Sequence, residues 1–480
     1  MTAIDKRTGL LTQVRTFPQA FWMLNIMEML ERLAYYGVRV VIPIYIAQAD
    51  EINGLHFTQI QKGEIFMWWA VVQSLVPMFS GGFADRYGYK KTIAVSIIFK
   101  ALGYILMATQ RAYLPFLMGA VTLAFGTAVF KPGIQGSLVQ TLDHRHSSVG
   151  WGTFYMLVNI GGFLGPPLAH FLYGISWPAV FYGCAAIVCL NFLTLLSYKE
   201  IPAGGEQTMG PVDIMKMTFK NIIKPKLGLF IIIMSGFWLM FMQLFDMLPN
   251  FIVDWVDTTH LVAKFSLPGW MTVETNRGTM ITQEWMINAN AGLIVVAVVF
   301  VSWLVSRMRR VTSIFIGITI ASFGLVAAGF TMNGTFVILG ILMFSVGEML
   351  SSPKMNEYLG VIAPPGEKAL YMGYANIPLA VGWGYGSIMG GKIYDRMGDK
   401  ANLAIRYMHD QLNIIGEIPR NEAFSKLMEA TGKNAVEATN LLWNTYHPYE
   451  LWYQFAAIGI VSAIGIFIYS KAVKKSEGSI

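Results

Sequence analysis

The sequence predicts an all-α membrane protein of about twelve membrane-crossing helices in two six-helix bundles, with both termini cytoplasmic, and three observations lead there. Apolar runs of about 20 residues, the length a helix needs to cross a bilayer, recur along the whole chain; its 480 residues are 55% hydrophobic and only 13% charged. The runs are continuous instead of alternating, which selects helices over a closed barrel, the other structure that satisfies its backbone inside lipid. The middle of the chain is polar, so that residues 199–225 separate six apolar runs from six more. The expected layout is an N-terminal bundle over 1–198, a cytoplasmic linker over 199–225 and a C-terminal bundle over 226–480.

The first span, 17–48, is the most informative. At about 100° per residue, Glu28, Glu31, Arg32, Tyr35 and Arg39 fall at i, i+3, i+4, i+7 and i+11 and project from one face. Each intramembrane charge costs about 2.5–3.5 kcal/mol on insertion scales, whereas a Leu or Ile returns only about 0.3–0.6. Four charges on one helix therefore have to pair or meet water, and their face lines a protein interior or an aqueous cavity.

Further spans are expected at 57–83, 91–109, 113–140, 149–173 and 177–198. Lys131 lies centrally in the fourth of the six, ahead of Pro132, a place from which a snorkelling cation does not easily reach the interface. Cys184 and Cys189 fall in the sixth, off a common face, which makes them packing filler and not a disulfide or metal pair. The second bundle begins with 226–253, where Gln243, Asp246 and Asn250 share a face and Pro249 opens the helix nearby. Spans at 284–306, 312–332, 335–362, 368–394 and 449–471 complete it. Lys354 and Glu357 fit an inner-gate ion pair and a surface pair equally well. Residues 395–448 form a long extracytoplasmic loop with helical periodicity over 403–415 and 421–442, expected to lie against the bundle.

The net charge of +7 is spread over span ends instead of one patch, which excludes nucleic acid as the natural partner. Arg86, Lys90, Lys91, Lys216, Lys220, Arg309, Arg310 and Lys471 all fall on one side if every span is real, and the positive-inside rule makes that side the cytoplasm. Residues 1–16 lack the apolar stretch and cleavage site of a signal peptide, so the first helix serves as its own insertion signal.

The loop after the second span, residues 82–91, places Asp85, Arg86, Gly88, Lys90 and Lys91 in a D-R-x-G-x-[RK]-[RK] pattern with Gly82 three positions ahead of the acid, and resembles the gating loop of the major facilitator superfamily. Glycine lets two helices approach closely, and an acid followed by cations at a helix end can form a charge relay that holds an inward gate. Residues 306–310, in the corresponding place of the second half, keep only the cations, and residues 390–398 repeat much of the spelling on the other side of the membrane, as a coincidental helix exit.

Within that superfamily the chain resembles the proton-dependent oligopeptide transporter (POT) family, as an atypical member. Residues 28–36 are similar to its first-helix E-x-x-E-R-F-x-Y-Y signature, with Leu33 in place of Phe. Residues 130–133, 154–161 and 347–353 are similar to its fourth-helix K-P, fifth-helix F-Y-x-x-x-N-x-G and tenth-helix G-E-x-x-x-S-P motifs. The resemblance implies that Glu28, Glu31, Arg32 and Lys131 form a proton-responsive network that also meets a substrate carboxylate. Arg39, Tyr35 and Tyr36 extend the lining with Asn288, Asn159 fits a ligand contact and a helix-packing hydrogen bond equally well, and Glu348 faces a substrate ammonium from the other half. Departures are equally clear. Residues 237–243 look like F-W-x-x-x-E-Q, but Met242 stands where the family has its proton-binding acid; Gln243 remains as a ligand candidate, and Asp246, one turn on, is expected to take the acid's place or to mark a different coupling. On the eleventh span Tyr374 stands where a Trp is common.

These readings converge on a secondary active transporter of the inner cell membrane, working as a monomer by proton-coupled symport of di-/tripeptides or peptide-like zwitterions, with the proton as coupling ion and no metal or other cofactor. Alternatives are a major-facilitator symporter or antiporter for another small organic solute, and a non-transporting nutrient sensor on the same fold. An enzyme is disfavoured because His144 and His146 have no paired nucleophile or metal-ligand set.

Overall fold

Helices make up nearly all the regular structure in the computed structural model, which describes residues 17–142, 147–201, 211–306, 308–364 and 368–477. The first half contains α1 (Gln19–Ala47), α2 (Gln59–Leu75), α3 (Pro77–Tyr87), α4 (Tyr89–Thr109), α5 (Tyr113–Thr141), α6 (Ser147–Tyr173) and α7 (Trp177–Leu196). The linker carries a helix that the sequence reading did not anticipate, α8 (Pro211–Ile222). The second half continues with α9 (Pro225–Phe241), α10 (Gln243–Asp246), α11 (Leu248–Trp255) and α12 (Thr259–Phe265), an antiparallel hairpin of β1 (Thr272–Thr275) and β2 (Gly278–Ile281), then α13 (Gln283–Ser306), α14 (Arg310–Gly329) and α15 (Gly334–Ile362). It closes with α16 (Lys368–Gly373), α17 (Asn376–Met397), α18 (Lys400–Leu412), α19 (Ala423–Thr431), α20 (Ala435–Tyr446) and α21 (Leu451–Glu477).

Local chemistry sets the boundaries. Thr58 and Gln61 form a reciprocal capping box that starts α2. The expected second span is two helices, because Pro77 has no amide hydrogen to continue the ladder of α2. The expected seventh span is three, broken at Met242 and at Met247, with Pro249 in the first turn of α11. Gly88, at φ +96°, makes the sharp corner between α3 and α4 that a side chain would strain.

Among the described residues, seven helical stretches are by themselves long and apolar enough to cross a membrane. The exterior and interior chemistry agrees. Leu114, Met118, Leu193, Ile232, Val296 and Val461 are all more than half exposed, whereas Glu28, Glu31, Arg39, Lys62, Lys100 and Asp246 are each at most 4% exposed. Apolar outside and charged inside is the arrangement of a protein solvated by lipid.

α1 packs on α6 and α7, α4 on α5 and α7, α14 on α15 and α21, and α9 on α17 and α21. The halves meet chiefly where α2 crosses α17 and where α6 crosses α13. Residues 390–398, read from sequence as a coincidental helix exit, belong to the first of these crossings: a Cβ on Gly391 would come within 2.6 Å of the Gln59 carbonyl oxygen. On the opposite face of α17, Gly382, Gly386 and Gly390, one turn apart, bring it against α9 and α10. The hairpin, the α1–α2 loop and residues 398–450 gather at one end of the bundle, the hairpin end; α8 and the α3–α4 corner mark the other, the linker end.

Candidate functional site

α1 turns its polar stripe inward, as the spacing predicts. Arg32 Nε lies 2.8 Å from Glu28 Oε1 and 3.2 Å from Glu31 Oε2, and the guanidinium sits 5.7 Å from the Tyr35 ring centre. Further along, Tyr35 accepts a hydrogen bond from Gln73, itself held by Trp69 Nε1 at 2.7 Å. Arg39 crosses to the second half: it pairs with Asp246 Oδ1, stacks 4.7 Å from the Phe66 ring and 5.2 Å from Trp383, and donates to the Phe245 carbonyl. The second Asp246 oxygen accepts from Trp383 Nε1 at 3.1 Å and Ser387 Oγ at 2.8 Å. Both members of that ion pair are thus buried and hydrogen-bonded, the condition under which a buried pair is tolerated.

Between the halves is a chamber of about 330 Å³. The first half contributes Arg32, Tyr35, Tyr36, Arg39, Lys131 and Asn159, and the second contributes Asn288 and Glu348. Eight of the residues singled out from sequence therefore converge on one cavity. Glu348 accepts from Asn290 Nδ2 at 3.0 Å, and Asn159 donates back to its own helix at the Tyr155 carbonyl. An aromatic wall of Trp238, Phe241 and Phe245 completes the second half's side. Tyr155, 47% exposed, also lines the chamber.

Glu28, Glu31 and Asp246 sit behind this wall, joined to it through Arg32 and Arg39. Two candidates do not reach the chamber in this conformation. Gln243 donates to the Leu239 carbonyl and packs on Gly386 and Gly390, because the break at Met242 turns it into the α17 contact. Tyr374 lies at the α16–α17 break and receives a hydrogen bond from Asn221 of the linker helix. In the loop at 82–91, the side chains at Gly82 and Asp85 lie outside the described residues; Arg86 and Lys91 are exposed, and Lys90 donates to the Tyr198 carbonyl at 2.7 Å. Lys354 and Glu357 form a pair joined by Arg310, all within the second half. His144 and His146 lie outside the described residues.

Sequence reasoning missed several partners. Lys100 of α4 points its ammonium at Glu31, 3.9 Å away, and its signal was a lone cation in the middle of the third apolar run. Lys62 of α2 donates to Asn250 at 2.7 Å, and Asn250 in turn donates to Gln48 and to the Pro43 carbonyl. With Gln48 donating to Asp254, Gln59 to Asp399, and Gln283 to the Val40 carbonyl, these bonds seal the hairpin end across both halves. The seal reaches into the long loop, where Arg420 binds Asp399 at 2.7 Å and the Phe57 carbonyl at 3.0 Å.

A polytopic helical bundle, charged within and apolar without, holding a polar chamber between two halves sealed at one end, is the architecture of a membrane carrier. The sequence profile of the Major Facilitator Superfamily matches residues 24–387, and the chain belongs to that family. Its family and fold are those of membrane transporters. The chain is 24% identical over 397 residues to the multidrug resistance protein MdtH of Proteus mirabilis, covering 81% of this chain and 89% of that protein. It is 29% identical over 206 residues to the uncharacterised transporter YclF of Bacillus subtilis, a match spanning 41% of each. Among solved structures, a POT family transporter in complex with 5-aminolevulinic acid superposes with a TM-score of 0.66 at 16% identity, over 95% of this chain and 97% of that one. The nucleoside transporter NupG superposes with a TM-score of 0.68 at 13% identity, over 94% and 99%.

Proposed function

We propose that the protein couples proton entry to the uptake of di-/tripeptides or peptide-like zwitterions across the inner cell membrane, as a monomer of twelve spans working by alternating access. The observation that carries this reading is the chamber's charge layout: Lys131 and Arg32 on the first half face a cavity whose other half presents Glu348. A zwitterion bound between them bridges the halves, so its binding favours a conformer in which they close around it. The hairpin end is taken as extracytoplasmic and the linker end, with both termini, as cytoplasmic, which makes the described conformer inward-facing. The Arg39–Asp246 ion pair joins the two halves, so the conformational change has to break it.

The test is accumulation of labelled dialanine in proteoliposomes. Lys131→Ala and Glu31→Gln are expected to abolish proton-driven uptake while the protein still inserts, and Glu348→Gln to erase the preference for a free over an acetylated amino end. Undiminished concentrative uptake in the first two variants removes the site assignment.

A second reading has an observation of its own. The aromatic wall of Trp238, Phe241 and Phe245 beside Glu348 suits a lipophilic organic cation moved outward against protons, and MdtH relatives cover most of the chain. Efflux of such a cation under the same gradient, with no dialanine uptake, selects it.

A further inference from the structure

We propose that Lys100 hosts the coupling proton, leaving Lys131 free for substrate. The inference rests on the proton-coupled reading above and divides between two lysines what the POT resemblance would give to one.

The two side chains have different surroundings. Lys131 stands in the chamber wall. Lys100 is 1% exposed, its Nζ makes no hydrogen bond to any described residue, and it lies 3.5 Å over the Phe130 ring and 3.9 Å from Glu31 Oε1. Its place is built, since Gly126 leaves room for its stem: a Cβ there would meet Lys100 Cγ at 2.7 Å. Ser96 Oγ, donating to the Gly126 carbonyl at 2.8 Å, holds that crossing of α4 and α5 together. The charged and titratable groups facing Lys100 are Glu28, Glu31 and Arg32 from α1, while Lys131 approaches the same acids from α5. Tyr104, one turn along α4, faces Cys184 of α7.

Charge counting gives the site its function. Glu28 and Glu31 are balanced by Arg32 and Lys131, so a proton on Lys100 takes the cluster to +1, a charge that a substrate carboxylate in the chamber offsets. In a low-dielectric surround an uncompensated charge is costly, so the proton and the substrate carboxylate favour each other's binding. The proton resides on the Lys100 amine as an ammonium or, once the 3.9 Å gap closes, on Glu31: an N–H bond of the ammonium breaks, its electron pair stays on nitrogen, and an O–H bond forms on the carboxyl. The second arrangement removes the charge that Glu31 presents to Arg32, which then turns to a substrate carboxylate in the chamber. Arg32, bonded to both acids and lining the chamber, is the link from proton to substrate.

The experiment compares wild type with Lys100→Met, Lys100→Arg and Lys131→Ala in proteoliposomes, reading pH-gradient-driven accumulation of labelled dialanine beside its gradient-free exchange. Both Lys100 variants are expected to lose about tenfold or more of the accumulation while exchange persists, whereas Lys131→Ala loses both. Arginine retains a fixed charge but does not release its proton, so rescue by Lys100→Arg marks a static counter-charge and overturns the proposal, as does full accumulation in Lys100→Met. Should Lys100→Met fail to fold, Lys100→Arg carries the comparison. A second readout needs no substrate: in pH-difference infrared spectra, the carboxylic acid band that Glu31→Gln removes is expected to shift its midpoint by about one pH unit or more in the Lys100 variants. Failure of the wild type to accumulate dialanine counts against the transport reading, while an unshifted band counts against Lys100.

Discussion

Arg39 and Asp246 meet across the halves with side chains only 2% and 3% exposed, so neither tolerates loss of the other. Asp246→Asn leaves a buried guanidinium without its counter-charge, a change that costs about 3–5 kcal/mol in comparable sites. Lower thermal stability and a flattened pH dependence of uptake are expected; an unchanged pH profile leaves that carboxylate with no coupling role. Glu51, in the α1–α2 loop, gives a second pH signature. Burial pushes its carboxyl from 4.5 up to about 7, opposed by the Trp177 indole that donates to it at 3.0 Å. Between those two values the folded chain holds a proton that the unfolded chain has lost. The stabilisation this provides is complete below about 4.5 and is lost as pH rises through about 7. Glu51→Gln is expected to flatten the fall in melting temperature across that window; an identical slope in wild type and variant shows that this carboxyl does not set it. Residues of this kind differ in how readily the sequence reveals them. The α1 stripe was legible because its members lie within one helix at helical spacing. Lys62 and Asn250 were not grouped, because 188 positions separate them and no local period connects them.

The long helices were legible because they follow the apolar runs of the sequence, and most observed ends fall close to those expected. What the runs concealed were their breaks. A hydrophobic count passes smoothly through Val76, Met242 and Met247, where proline and a change of packing partner interrupt the hydrogen-bond ladder. The hairpin at 272–281 escaped for the opposite reason, being too short and polar to show a strong period. The helices of the long loop were anticipated, but not its clamp on the first half through Arg420. At this scale the glycine face of α17 is the most exposed to test. Gly386→Leu forces α17 away from Leu239 and Gln243, and overpacking of this kind costs about 1–3 kcal/mol. Thermal unfolding in detergent is expected to show a lower midpoint for Gly386→Leu, with Gly269→Leu, which has nothing within 4 Å, as the neutral comparison. Equal midpoints contradict the close α9–α17 packing.

Over the whole molecule, the seal at the hairpin end joins α1, α2, α11, α17 and residues 399–420 into one polar network. Alternating access requires these bonds to break together. Cysteines at Gln59 and Asp399, which are hydrogen-bonded at 2.9 Å, introduced into a chain lacking Cys184 and Cys189 and joined by a short thiol cross-linker, are expected to arrest transport. A reducible linker restores it on cleavage, whereas full transport in the cross-linked protein excludes opening at this end. The sequence indicated that the charged face of the first span turns to a protein interior or a cavity, since its desolvation cost compels it; which end is sealed depends on contacts between residues hundreds of positions apart.

The central claim is that a proton gradient drives a zwitterion through the chamber between Lys131 and Glu348. The measurement that tests it most directly is uptake of labelled dipeptides and tripeptides by the wild-type protein in proteoliposomes under an imposed inward proton gradient, with and without an uncoupler. Concentrative, uncoupler-sensitive accumulation is predicted; uptake that only equilibrates, or that is indifferent to the uncoupler, contradicts the account.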